Sequence, residues 1–448
     1  MGQPELDTAT SSVRYQRLRR IGSEVAAIGS VNRGINGATP PHAGVRIRRL
    51  ATPQAKDDPY MNSPKITDGI ASHYLEATDY VGDDAAFIAG DGSGPASGQL
   101  GNDSEAPHAF VAEAHAVAMH GELVDSLEPS KTNVYSRVAA IASLDPDTKT
   151  TWGVIAANAG SGLCGSGAEG VYATAFTQQT VDLSKCVSIG APCASFARDD
   201  ELVPFDLLAT ETRAIAVGQI CSGLGASGAP TGFIVPISDA IPPTLGTAAL
   251  VVPGPRSSAD IVAIREIGDH LVVAGTFTGT ITAGEFTLSS AGGIDAFVAI
   301  LDATTLGFTQ AVALGGTGDE IVTDADAQPR AGHSGEWGLY LVGRFTGHAD
   351  FGCFSADAQG EQAFLAKLWL SSVDDASVKP LPLYLSALGS TGSTRADRVL
   401  VAGDELWVSG RIAANATLSV RGVKVPANPE SSAATFLLPF TLTDTAAP

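Results

Sequence analysis

The chain has 448 residues, only 17% of them charged, with 50 glycines, 25 prolines and a formal net charge of −21. Its 44% hydrophobic content suffices for a large core, and no apolar run approaches the roughly 18 residues of a spanning helix, so wholesale disorder and a helical membrane span are excluded. The negative balance argues against general affinity for nucleic acid.

The length divides into seven repeats: 11–66, 67–132, 133–193, 194–254, 255–318, 319–389 and 390–448. Their common landmark is a short apolar run closing on a small residue, at positions 29, 90, 157, 218, 275, 343 and 410. Internal periods of this size mark repeat architectures.

The first repeat opens with a run over Val13–Arg20, followed by Val25-Ala-Ala-Ile-Gly29. Residues 1–50 hold eight Arg and three acids, a net of +5, so the remainder carries −21 − 5 = −26. Arg46 and Arg48 alternate with Val45 and Ile47, so in a strand they share a face, and Arg17 and Arg19 likewise share one. This reads either as arginines covering blade edges or as a basic patch for an acidic protein, an anionic glycan or a second copy of the chain.

The second repeat contains Phe87-Ile-Ala-Gly90 and His108-Ala-Phe-Val-Ala-Glu113. Ala109 to Leu127 has a helical composition, but the repeat register predicts a strand over 109–115, with room for a short helix after it. His108, His115 and His120 are spaced by 7 and 5 and are expected to diverge rather than share a metal.

The third repeat carries Val154–Ala157, Gly160-Ser-Gly-Leu-Cys-Gly165 and Val171–Phe176. The glycine pattern matches a phosphate loop in spacing only, because a strand rather than a helix follows it. The fourth carries Ala214–Gly218 and Gly232–Ile237. No C-x-x-C pair occurs among the five cysteines. Cys186 and Cys193 flank a turn, and Cys164 and Cys221 occupy similar loops in neighbouring repeats. Cys186–Cys193 and Cys164–Cys221 are therefore the candidate disulfides, with Cys353 the cysteine left over.

The fifth and sixth repeats are the clearest. Leu271-Val-Val-Ala-Gly-Thr-Phe-Thr-Gly279 recurs as Leu339-Tyr-Leu-Val-Gly-Arg-Phe-Thr-Gly347. Asp295-Ala-Phe-Val-Ala-Ile-Leu-Asp302 recurs as Gln362-Ala-Phe-Leu-Ala-Lys-Leu368. Asp319 and Glu320, with Asp324 and Asp326 nearby, enter the first strand of the sixth repeat. They could hold Ca²⁺ through oxygen ligands or cap turns. Arg395, Asp397 and Arg398 fall at the matching place in the seventh repeat, ahead of Leu406–Gly410 and Ala433–Leu438.

Each repeat thus holds four short apolar runs punctuated by Gly, Asp, Ser and Pro. The expected fold is all-β: one seven-bladed β-propeller domain over 1–448, with four-stranded antiparallel blades. The chain ends on the third strand of its last repeat, so Gln3–Ser11 is expected to supply the missing outer strand.

Residues 315–320 (Gly-Gly-Thr-Gly-Asp-Glu), 274–279 (Ala-Gly-Thr-Phe-Thr-Gly) and 295–302 together resemble the SBBP-type β-propeller repeats of bacterial extracellular and surface proteins. The likeness is strongest over 257–370, and the first four repeats depart from it: Ala157 stands at the landmark Gly, and the Gly-Gly-Thr-Gly-Asp element is missing. The resemblance implies a propeller and an exported protein, with no catalytic activity. Met1 to Ser12 lacks the apolar core of a leader, so a leader is expected to be absent from this sequence.

The functional expectation is a non-catalytic extracellular or cell-surface binding or scaffold protein, or a subunit of a surface assembly. The alternative is a propeller enzyme, a hydrolase or lyase, with carboxylates or Ca²⁺ at the channel mouth.

Overall fold

The computed structural model describes strand backbones throughout the chain, most of the connecting chain between 205 and 420, and side chains chiefly from Ala139 onward. Every regular element among the described residues is a β-strand. After β1 (Glu5–Asp7), the first group is β2 (Ser12–Ile21), β3 (Glu24–Arg33), β4 (His42–Arg49) and β5 (Met61–Asn62). The second is β6 (Ala71–Ala77), β7 (Ala85–Ser93), β8 (His108–His115) and β9 (His120–Ser126). The third is β10 (Ser136–Ser143), β11 (Thr151–Ala157), β12 (Gly170–Phe176) and β13 (Cys186–Gly190). The fourth is β14 (Asp206–Ala209), β15 (Arg213–Gly223), β16 (Ala226–Ser238) and β17 (Ala249–Pro253). The fifth is β18 (Ser258–Ile267), β19 (His270–Ala283), β20 (Phe286–Asp302) and β21 (Phe308–Leu314). The sixth is β22 (Asp319–Pro329), β23 (Trp337–Phe351), β24 (Phe354–Leu370) and β25 (Leu381–Ala387). The seventh is β27 (Thr394–Ala402), β28 (Glu405–Ala413) and β31 (Ala433–Thr441), and β26 (Gly389–Thr391), β29 (Thr417–Val420) and β30 (Val423–Pro426) form a small sheet beside it.

Strands pair antiparallel within each group, and the innermost strand of each group faces the innermost strands of both neighbours. That contact passes from β2 through β6, β10, β14, β18 and β22 to β27, and β27 returns to β2. The propeller is closed by the chain start. β1 pairs with β31, Leu6 opposite Phe436, and supplies the outer strand of the last blade, as expected.

Period-2 alternation explains why these strands are apolar almost throughout. On β19, Val272 and Ala274 pack into the core between blades 5 and 6, while Leu271 and Val273 pack into the core between blades 4 and 5. On β23, Leu339 and Leu341 face blade 5, while Tyr340 and Val342 face blade 7. Each such Val or Leu side chain contributes about 1.5–3 kcal/mol by leaving water.

The landmark glycines have a steric cause. A β-bulge in β22 pushes the Ile321 carbonyl toward Gly343, and a Cβ there would strike both that carbonyl and the Phe364 ring. Gly275 meets the Asp260 carbonyl and Phe297, and Gly410 meets the Arg395 carbonyl and Phe436, in the same way. In blade 3 the bulge sets Ile155, not Ala157, at the equivalent position. The expected landmark there is thus displaced by two residues.

Two local expectations fall in this region. The strand β8 ends at His115 as the register predicts and β9 begins at His120, while residues 116–119, the room left for a short helix, lie outside the described residues. His115 and His120 lie opposite each other in the register, so of the three histidines only His108, at the far end of β8, diverges as expected.

Past the blade ladder, the hairpins joining second and third strands extend and grip the preceding blade. The left-handed Gly347 (φ 66°) marks the bend in blade 6, where the register shifts after Phe345. The blade 5 hairpin pairs with β17, Val251 opposite Ala283. The blade 7 extension pairs β29 with β26. The blade 4 hairpin bridges Ser222 to Ala191, after β13.

That last grip is covalent, because Cys193 and Cys221 form a disulfide with Cα atoms 4.8 Å apart. The pairing corrects both expected disulfides. The strand β13 runs extended from Cys186 to Gly190, about 13 Å over four residue steps, and so carries Cys186 away from Cys193. Cys221 is instead brought to Cys193 by the hairpin, whose Cys221 amide donates to the Ala191 carbonyl at 2.9 Å. Cys186 is also disulfide-bonded, Cys164 lies outside the described residues, and Cys353 is free and exposed at a hairpin tip.

Candidate functional site

The linker from β21 to β22, residues 315–318, crosses from the outer edge of blade 5 to the inner edge of blade 6. The blade 6 hairpin lies over it. Gly315 N donates to the Asp350 carbonyl at 3.0 Å, and Gly318 N to the His348 carbonyl at 3.2 Å. The approach requires bare backbone: a Cβ on Gly316 would strike the His348 carbonyl, and one on Gly318 the Thr346 carbonyl. This close passage accounts for the Gly-Gly-Thr-Gly run.

Three carboxyl groups converge at this joint. Glu320 Oε2 accepts from the Gly316 amide at 3.0 Å, and Asp295 Oδ2 from the Ala291 amide at 2.7 Å. Asp319 Oδ1 accepts from the Ile294 amide at 2.9 Å. Glu320 and Asp295 are 0% and 1% exposed, and their other oxygens, Glu320 Oε1 and Asp295 Oδ1, are buried without a hydrogen-bond partner. Burial, reinforced by the charges of Asp295 and Asp319, pushes the Glu320 carboxyl up to about 7. Burial also raises Asp295, against the backbone hydrogen bond from Ala291.

The equivalent positions in neighbouring joints are neutral. At the blade 4–5 joint they are Thr231 and Ala259, and Thr231 Oγ1 donates to the Ala229 carbonyl at 2.8 Å. At the blade 6–7 joint they are Gln362 and Thr394, and Thr394 Oγ1 accepts from the Ala363 amide at 3.0 Å. Neutral residues therefore suffice to build the joint, and among the three joints compared the diacid occurs only between blades 5 and 6.

Asp324 does not join this group. It lies on β22 past the bulge, where Arg265 of β18 donates to it at 2.9 Å. Arg265 also pairs with Asp206 of β14 and lies 3.4 Å from Asp326. Asp206, Asp324 and Asp326 each accept from an inner-strand amide of the next blade: Ile264, Val399 and Val401 respectively. One repeat on, Arg411 makes a bidentate pair with Asp397 at 2.8 and 3.0 Å, and Arg398 donates to the Thr323 carbonyl.

The expected Ca²⁺ set Asp319, Glu320 and Asp324 is therefore divided between two places. Among the described residues no group of three or more His, Cys, Asp or Glu side chains is arranged to hold a metal ion. Of the proposed basic patch, Arg17 and Arg19 lie on β2 and Arg46 and Arg48 on β4, but their side chains lie outside the described residues. The 160–165 glycine segment lies between β11 and β12, also outside them. Sequence reasoning missed Asp295 and Arg265, because their partners are on other blades.

No family model matches the chain, and no curated protein matches it. Solved propeller structures do. The β-propeller domain of the Trilobed protease from Pyrococcus furiosus is 7% identical over 94% of this chain and 96% of its own, with a TM-score of 0.43. The parainfluenza virus 5 hemagglutinin-neuraminidase ectodomain is 11% identical over 99% and 86%, with a TM-score of 0.43. Trypanosoma rangeli sialidase is 10% identical with a TM-score of 0.37, covering 95% of this chain but only 54% of the sialidase. Enzymes thus stand among the similar structures, and the expectation of a non-catalytic scaffold that is not an enzyme is corrected. Identities this low assign no substrate, and the SBBP-type resemblance rests on its motifs alone.

Among the described residues, no helix is long and apolar enough to cross a membrane. The structure is an all-β propeller of antiparallel blades, its chain start paired into the last blade and a buried diacid between blades 5 and 6.

Proposed function

We propose that the chain is a propeller hydrolase or lyase whose acid–base pair is Asp295 and Glu320. One observation carries the reading: two buried carboxyl groups from adjacent blades each keep an oxygen unpartnered, where neighbouring joints hold neutral side chains. A carboxyl raised to about 7 is still substantially protonated near neutral pH, as a general acid must be. Glu320 would give its proton to the leaving oxygen, and Asp295 would take one from water or from an acidic carbon.

The proposal includes an exported protein with SBBP-like repeats. The Cys193–Cys221 disulfide supports an oxidising compartment. The net +5 of residues 1–50 supports contact of the first blade with an anionic glycan, an acidic protein or another copy of the chain.

The test is a screen of the purified chain on chromogenic glycosides, esters and uronate-containing polysaccharides, repeated with Glu320→Gln and Asp295→Asn. Turnover by the parent chain and a loss of about 100-fold or more in each variant, with native melting behaviour, is expected. Parent-level rates in both variants, or no turnover of any substrate, would overturn the reading.

A further inference from the structure

We propose that the blade 6 hairpin is a proton-held clasp, gripping the 315–318 linker while Asp295 and Glu320 retain a proton and slackening when both ionise.

The grips along the ring differ in kind. Blade 4 holds blade 3 through the Cys193–Cys221 disulfide. Blade 5 holds blade 4 through a ladder running from Val251–Ala283 to Pro253–Ile281. Blade 7 holds the end of blade 6 through β29 and β26. Blade 6 holds the linker with two backbone hydrogen bonds, from Gly315 and Gly318, and the Asp319 amide reaches Thr346 Oγ1 at 3.4 Å. No strand pairing joins the hairpin to this linker among the described residues. Of these four described grips, the one without a covalent bond or a ladder is thus the one built over buried acids.

The charges facing the pair come from every side of the joint. Asp295 approaches on β20 and Asp319 at the start of β22, while His348 and Asp350 approach on the hairpin. Asp357 on β24 holds His348 Nδ1 at 2.8 Å, so the imidazole is already engaged with an exposed carboxylate. With one proton, the unpartnered oxygens Asp295 Oδ1 and Glu320 Oε1 place a single negative charge in the joint. With none, two buried negative charges sit beside Asp319 and repel. Phe351 and Ala349 stay packed in the core between blades 5 and 6, so the slackened state frees the linker and leaves the hairpin tip in place. The ordinary acid range lies well below the Glu320 value of about 7, which sets the transition near neutral pH.

The inference concerns the folded chain without substrate, so it stands or falls apart from catalysis. Amide hydrogen exchange by mass spectrometry tests it at about pH 5.5 and about pH 8.5, the blade 5 hairpin correcting for intrinsic rates. Peptides spanning 315–320 should lose protection by about tenfold or more at the higher pH relative to that hairpin. The Asp295→Asn/Glu320→Gln double variant should show no such difference. Asp295→Gln/Glu320→Thr, which copies Gln362 and Thr394 of the next joint, should behave likewise should the first fail to fold. Equal corrected protection at both pH values in the parent chain, or an undiminished loss in either folded variant, would overturn the clasp.

Discussion

Arg265 and Asp324 meet at 2.9 Å across the boundary of blades 5 and 6, and the second oxygen of Asp324 accepts from the Val399 amide of blade 7 at 3.1 Å. One carboxylate thus ties three successive inner strands. Arg265 extends the tie to Asp206 of blade 4. The Asp324 carboxylate is nearly buried, and Arg265 is partly exposed.

Arg265→Met should therefore be costly, since it strands Asp206 and Asp324 without their cation. A loss of about 3 kcal/mol or more is expected by urea denaturation. The Asp206→Asn/Arg265→Met/Asp324→Asn combination should recover part of it, because no buried charge is then left alone. Unchanged stability in Arg265→Met would show that the tie carries little.

The disulfide leads to a second expectation. Cys193 and Cys221 are 28 residues apart, and opening a loop of that length costs about 3–4 kcal/mol in the chain-entropy account. Cys221→Ser should lower stability by that order. Non-reducing peptide mapping should recover a Cys193–Cys221 crosslink and no Cys186–Cys193 crosslink.

The response to pH follows from three acids, Glu320 buried and Asp260 and Asp326 half-buried. Burial raises Glu320 from 4.5 to about 7, Asp260 from 3.8 to about 7, and Asp326 from 3.8 to about 6 despite Arg265. The folded chain therefore binds protons more tightly than the unfolded chain between these limits. Their contribution to stability is complete below about pH 4 and is lost as pH rises through about 6 to 7. The melting temperature should fall over that window, and Glu320→Gln should flatten the fall. A melting temperature that climbs from pH 4 to pH 7 equally in both chains would contradict the assignment.

Closure by β1 gives a fourth expectation. Residues Glu5, Leu6 and Asp7 pair with Leu437, Phe436 and Thr435. Deleting residues 1–10 should lower the melting temperature and raise exchange in β31, since β31 loses its outer partner and becomes an edge. An unchanged melting curve would show that this pairing contributes little to ring stability.

How much was legible in the sequence varies by residue. The recurrence of Leu271–Gly279 as Leu339–Gly347 exposes the blade period, because every blade meets the same packing demand on both faces. The outer strand at Gln3–Ser11 was legible by counting strands. Ala157 misled, because the bulge that sets the register leaves no mark in that repeat. The Cys193–Cys221 bond was hidden, since local spacing favours Cys186, and only the hairpin's reach selects Cys221.

Half of the diacid was visible. Asp319 and Glu320 stand out at a strand entry, but Asp295 sits inside an apolar repeat element and reads as part of a strand.

The sequence by itself determined the repeat, the all-β class and the closing segment, because these depend on period-2 burial and strand count along the chain. Only the tertiary structure decided which charges meet. Arg265 finds Asp324, Asp295 finds Glu320, and Cys193 finds Cys221 across blade boundaries, where contact depends on how neighbouring blades pack and on how far each hairpin extends.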